Sequence, residues 1–563
     1  MFTYLRSTVL TAIAAVLLIA CSSSEKDRMN KEFTSFLDEF ESKLIPLAKE
    51  AHLAYFNATI SGKDEDYTRA ADLEVELTKL FTDKDAFARL QEWKKSGQIT
   101  EPLLERQLDV LYSDFLEKQI DEQRLETMIR MQNEMEKKFS TFRATVKGKA
   151  ISDNDIETVL RTSTDSKELE EVWTASKAIG GVVSGDVIAL VKMRNEAARE
   201  LGFDNYHSMR LELDEQDPEE IALLFDELDE LTRGTFAELK RDMDAELAAR
   251  YNIAPEKLMP WHYQNRFFQE APRIYDVDLD AFYKDKDIVA LTNSYFAGLQ
   301  LPIEDLVKNS DLFEKEGKYQ HAYCTDIDRE GDVRVVCNIK PTYNWMNTNL
   351  HEFGHAVYDK FSDKKLPYLL REPAHTFTTE AIAMLFGRQA SNPGWLMDVA
   401  GVPAAEVDKA ALDMKNSLRL EQLVFSRWAQ VMYRFEKAMY DNPDQDLNAL
   451  WWQLVERYQM IRKPEGRNAP DWASKIHVAL YPAYYHNYLM GELLASQLHS
   501  YLCTNVVKST DPVRESFAGK AEVGAWLRKN IFEPGRTKLW NDMITAATGE
   551  KLTAKYYAKQ FVD

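Results

Sequence analysis

Between residue 30 and the C-terminus the chain lacks any Gly/Ser-rich or Pro-rich stretch that would act as a linker, although 563 residues could supply three or four domains of about 150 residues each. A string of flexibly joined modules is therefore excluded, and one large domain or two interleaved lobes is expected. Basic charge is also lacking. The formal net charge is −22, and no Lys/Arg stripe is present that could replace phosphate counterions, which removes nucleic acid from the partners. Strand patterning is scarce, and no repeat of 20 to 50 residues is present, which excludes a solenoid. The composition is 45% hydrophobic and 29% charged, so the chain can bury a large core and is not disordered.

Helical periodicity is abundant. Phe33, Phe36, Leu37, Phe40, Leu44, Leu47, Ala48 and Ala51 recur at three- and four-residue steps, as do Ile221, Leu224, Phe225, Leu228 and Leu231. These stripes are expected to be core faces. The clearest strand runs from Val333 to Asn338, after Glu330-Gly331. The expected fold is mainly α: a large two-lobed helical molecule with one small β-sheet.

The N-terminus carries Arg6, an apolar run from Val9 to Ala20, then Cys21 followed by serines. That run is shorter than the roughly 20 residues a helix needs to cross a bilayer. It reads as a secretory signal. Leu18-Ile19-Ala20-Cys21 resembles a bacterial lipobox, in which the cysteine becomes the lipidated first residue. Residues 1–20 are thus expected to be a signal peptide, 21–30 a short tether and 31–563 the helical domain. The protein would be exported and would touch the membrane only through lipidated Cys21.

Cysteine is rare enough, at four in all, to be read one residue at a time. A two-residue turn at Glu330-Gly331 would put Arg329 opposite Asp332 and Cys324 opposite Cys337, a possible disulfide in an oxidising compartment; two buried thiols is the alternative. Cys503, in an apolar helical run, reads as a core residue.

The most informative stretch is NWMNTNLHEFGHAVYDK, residues 344 to 360. On a helix starting near Thr342, His351 and His355 project from one face a turn apart and can reach one metal ion. Glu352 points about 100° away and suits a general base acting on a water. Gly354 inside this helix costs about 1 kcal/mol against alanine, which suggests that another backbone passes close by. Glu380, in HTFTTEAIAMLFGR, is the candidate third ligand, on a helix that Thr378 or Thr379 could cap.

HEFGH, followed by LPYLLREPAHTFTTEAIAML, resembles the gluzincin metallopeptidases and in particular the angiotensin-converting enzyme family. FLDEFESKLIPLAKEAHLAYFNATIS, LVKMRNEAARELGFDNYHSMR, WWQLVERYQ and SKIHVALYPAYYHNY extend the resemblance over nearly the whole chain. It implies a two-lobed helical metallopeptidase fold with a deep central cleft, the small sheet lying beside the HExxH helix. It further implies one zinc held by His351, His355 and Glu380, with Glu352 catalytic, and short peptide substrates that lose C-terminal dipeptides. His477 and Tyr488 match the family's residues that steady the tetrahedral intermediate and polarise the scissile carbonyl. His321 matches a histidine that bonds a substrate carbonyl, and Ala322 and Cys324 lie on the strand whose backbone pairs with substrate. Lys475 and Tyr485 match the pair that holds the peptide's terminal carboxylate.

The chain also departs from the family. Val455, Asn487 and Thr174 stand where arginines bind activating chloride, so chloride is not expected as a cofactor. Either Gln269 or Glu270 fits the carboxylate-binding glutamine, and Met384 replaces an aspartate that orients the ligands. Glu380 lies twenty-five residues after His355, which equals the spacing of thimet-type oligopeptidases and leaves endo-acting cleavage open. An inactive peptide-binding lipoprotein is the reading outside enzymology.

Overall fold

The computed structural model describes residues 25–562 in full, so the signal peptide and lipidation readings, Cys21 included, fall outside the described residues. Helix makes up 69% of the structure, in agreement with the mainly α expectation. Among the described residues sheet is confined to two antiparallel hairpins, β1 (Ala144–Val146) with β2 (Lys149–Ile151) and β3 (Tyr323–Asp326) with β4 (Val333–Val336). Only the second was anticipated.

The helical stripes do what their spacing predicts. On the first helix (Phe2–Ser61) Phe33, Phe36, Leu37, Phe40, Leu44, Ala48 and Ala51 are buried, with Phe33 and Phe36 packed against Trp93 at 5.2 and 5.3 Å between ring centres. This seam forms its own hydrophobic cluster beside the main core. The long helix Pro218–Tyr251 begins where Asp217 accepts the N–H groups of Glu219 and Glu220, and it stops at Asn252 in the left-handed region. Ile221, Leu224, Phe225 and Leu228 on it are buried, whereas Leu231 is 38% exposed.

The β3–β4 hairpin differs from its expected register. Asp328 Oδ1 accepts the N–H groups of Glu330 and Asp332, and Ile327 N–H donates to Asp332 C=O. These side-chain bonds favour a four-residue loop over the two-residue turn. The register slides by two, Cys324 faces Val335, and Cys324 and Cys337 are both free thiols. Burial pushes both thiols well above the usual range, which suits packing better than redox chemistry. Cys503 is buried as expected.

Three helices meet beside this hairpin. The first is the HExxH helix (Tyr343–Phe361), capped by Thr342, whose side chain accepts from Trp345 N–H. The second runs from Thr376 to Gly387. Its cap is His375, whose ring accepts from Phe377 N–H while Thr378 Oγ1 accepts from His375 N–H, so neither Thr378 nor Thr379 is the N-cap and Glu380 sits in the second turn. The third is the tyrosine helix (His486–Tyr501). A Cβ on Gly354 would come within 2.8 Å of Ala383 Cα, and one on Gly491 within 3.1 Å of Glu380 Cβ. Both glycines thus allow the close crossings that bring Glu380 to the histidines.

Candidate metal centre and substrate cleft

His351 Nε2 and His355 Nε2 lie 3.3 Å apart, and Glu380 Oε2 is 3.6 and 3.9 Å from them. Ligand atoms 2.0–2.1 Å from one tetrahedral ion stand roughly 3.3–3.4 Å from one another, so this donor set fits a single metal with one position left for water or substrate. It is the one such group of His, Cys, Asp or Glu among the described residues.

The electrostatics point the same way. Burial holds His351 down at about 4, and burial together with His351 holds His355 well below its usual range, so both imidazoles are neutral and free to ligate. Burial, aided by Glu492, pushes Glu380 up to about 7. Burial, aided by Glu380, pushes Glu352 up to about 8. A cation held at the His351–His355–Glu380 centre would offset the cost of burying these groups as carboxylates.

The group that orients His355 was not foreseen. Its Nδ1 lies 2.7 Å from Thr379 Oγ1. Were Nε2 to ligate a metal, Nδ1–H would donate to this hydroxyl and fix the ring. Met384, standing where the family has an aspartate, packs its sulfur toward Gly491. Thr379→Val keeps the shape and removes the acceptor. It is expected to weaken zinc binding about 10- to 100-fold, as read by competition with a chelating dye.

The β3 strand runs past this centre. Ile327 bonds Asp332, so by antiparallel alternation Thr325 and Tyr323 bond toward β4, while the peptide groups of Cys324 and Ala322 face the edge that no strand covers among the described residues. An extended peptide can add there. His321, just before the strand, is exposed and lies 5.3 Å from the Tyr319 ring.

Lys475 is buried and its Nζ donates to Gln269 Oε1 at 2.6 Å. Glu270 turns away to pair with Arg161 at 2.9 Å, so Gln269 and not Glu270 faces the lysine. Phe268 has φ +51, and Asn265 Oδ1 accepts the N–H groups of Phe267 and Gln269. That bend aims the amide at the lysine. Tyr485 OH, 2.7 Å from Trp428 Nε1, lies beside it, and the ammonium is 5.6 Å from the Tyr485 ring centre. His477 stacks edge-on to Tyr485 at 5.1 Å, and its buried Nδ1 has no hydrogen-bond partner. Burial and the nearby Lys475 hold His477 at about 3. Tyr488 packs on Tyr484 and Tyr485 at 5.3 and 5.4 Å; burial and then the Glu380 carboxylate raise its phenol. His351, His355 and Glu380 thus converge on one point, and Lys475, Tyr485, His477 and Tyr488 form a second, contiguous group.

The three positions read against chloride are occupied otherwise. Thr174 lies on the helix Ser166–Ser176, Val455 is buried, and Asn487 Oδ1 accepts from Gln216 Nε2, whose own Oε1 lies 2.6 Å from His486 Nε2.

Two imidazoles and a carboxylate that converge on one point, with a second buried carboxyl on the residue after the first histidine, form a donor set suited to a metallopeptidase. The model of the M2 peptidases, described as angiotensin-converting enzyme, matches residues 27–263 and 273–561. The chain belongs to that family. It is 21% identical over 373 residues to the inactive angiotensin-converting enzyme-related protein of Caenorhabditis elegans, over 58% of this chain and 40% of that one. It is 25% identical over 264 residues to carboxypeptidase 1 of Bacillus subtilis, over 42% of this chain and 50% of that one. The chain thus spans half or less of the length of these relatives.

Proposed function

We propose that the protein is a zinc-dependent peptidyl-dipeptidase that removes dipeptides from the C-termini of short peptides. The observation that carries this reading is the buried Lys475 ammonium, which faces Gln269 and among the described residues has no carboxylate partner of its own. A buried, unpaired cation beside a peptidase centre is suited to a substrate's terminal carboxylate. The Bacillus relative is named a carboxypeptidase, which agrees with action at C-termini.

His351, His355 and Glu380 would hold the zinc, which when bound polarises the scissile carbonyl and acidifies water. Glu352 accepts the proton of the attacking water and passes it to the leaving amide nitrogen as the C–N bond breaks. Tyr488 donates its phenolic hydrogen to the developing oxyanion, and His477 holds the substrate chain beside it. Ala322 and Cys324 supply the extended backbone edge, His321 a contact to a substrate carbonyl, and Lys475, Gln269 and Tyr485 the carboxylate clamp.

Burial, helped by Arg266, lowers Lys475 to about 8. The ammonium is present below that pH and lost above it. For peptides with a free C-terminus, kcat/KM is expected to fall as pH rises through about 8, since this ratio reports the free enzyme. For amidated peptides the fall should be missing; parallel profiles for both would contradict the role of Lys475.

We place the protein outside the cytoplasm, anchored through Cys21. Labelled palmitate should enter the wild type and not Cys21→Ser; equal labelling would remove the anchor.

A further inference from the structure

Ala483 is buried and stands in the left-handed region, at φ +53, without being glycine. Alanine is strained there, and such a conformation persists only where its surroundings impose it. The residue lies in the turn between the short helix Ile476–Leu480, which carries His477, and the tyrosine helix, which carries Tyr488. Backbone bonds of this turn stay near its ends, with Tyr481 N–H donating to His477 C=O and Asn487 N–H to Tyr484 C=O. At its middle, Ala483 N–H donates to Glu436 Oε1 at 2.8 Å.

Glu436 is buried on the long helix Ala404–Asp441. Burial raises its carboxyl to about 8, against the opposing pull of the Ala483 N–H and the Arg194 charge. Arg194 donates instead to Tyr440 OH at 3.0 Å, and among the described residues no lysine or arginine forms an ion pair with Glu436. A buried acceptor without a counter-charge is retained here for the backbone group it satisfies. The same helix meets the turn at two further points. Trp428 Nε1 donates to Tyr485 OH at 2.7 Å, and the Tyr433 ring centre lies 6.0 Å from that of His486. Of these three supports Glu436 alone holds the backbone.

We propose that Glu436 is a positioning residue, which keeps Ala483 in its left-handed turn and so sets where Tyr488 stands relative to His477. The inference rests on the reading that these two residues act on the substrate. A side chain that never touches the peptide would thus fix the distance between two that do.

The test is hydrogen exchange by mass spectrometry together with kcat and KM on a free-acid reporter peptide, all on the zinc-loaded full chain. Glu436→Leu is expected to speed exchange over 481–488 at least about tenfold while the rest of the chain changes less than about twofold. In the same variant kcat should fall about 10- to 100-fold with KM within about threefold of the wild type, because Lys475 and the Trp428 contact to Tyr485 remain. Glu436→Gln keeps an oxygen facing Ala483 and should restore both readings. Unchanged exchange over 481–488 overturns the proposal, as do uniform loosening of the whole chain and failure of Glu436→Gln to restore. Where Glu436→Leu does not fold, it is combined with Ala483→Gly, which frees the left-handed turn of strain, and compared with Ala483→Gly alone; the same two changes are expected. A loosened turn with unchanged kcat separates the two readings, since Glu436 then stands as the support of the turn and the role given to Tyr488 in the proposed function fails.

Discussion

Glu352→Gln is expected to leave one zinc per chain and to lower kcat about 10³- to 10⁴-fold. The side chain is buried beside the donor set and is not one of the three converging atoms, so an isosteric amide leaves the metal site intact. What is lost is a base that acts twice, once on the water and once on the leaving nitrogen, which places the loss in the upper range for proton-transfer catalysis. Metal analysis and turnover of a reporter peptide on the same preparation check it. Near wild-type turnover would remove Glu352 from the chemistry, and loss of zinc would show it to be structural.

Lys475→Met comes second. The thioether fills the space of the lysine stem between Phe267, Trp428 and Tyr485, whose ring centres lie 5.4 to 5.6 Å from the ammonium, so the pocket keeps its shape and loses its charge. Loss of a buried charge-assisted contact costs about 2–3 kcal/mol, or roughly 30- to 150-fold in kcat/KM for free-acid peptides. Amidated peptides, which never engaged the ammonium as an ion pair, should change no more than a few-fold. A uniform loss on both would mean that the lysine supports the fold rather than the substrate, and no loss on either would favour endo-acting cleavage.

The sequence shows most of what depends on spacing along one element. The 3.6-residue stripes mark the core faces, and i, i+4 histidines on a helix converge whatever surrounds them. Gly354 likewise announced a close backbone, which is that of Ala383. Glu380 was readable as a candidate third ligand, but spacing along one element could not fix it, because its approach to the histidines is a crossing of two helices. Thr379 could be read as a cap, yet its partner is His355 across that crossing. The hairpin register was misread because the loop is set by the Asp328 side chain bonding two backbone amides, which outweighs the Glu-Gly turn signal. Gln269 and Glu270 could not be told apart because the choice depends on the left-handed bend at Phe268, a conformation that phenylalanine does not advertise.

The most direct test of the central claim is mass spectrometry of the products from one unstructured decapeptide and its C-terminal amide, each with enzyme, with enzyme plus chelator, and after zinc is restored. The account predicts stepwise loss of dipeptides from the free acid alone, abolished by chelator and recovered with zinc. Internal cleavage of both peptides alike would contradict it and assign an oligopeptidase, and no cleavage with zinc bound would leave a peptide-binding protein.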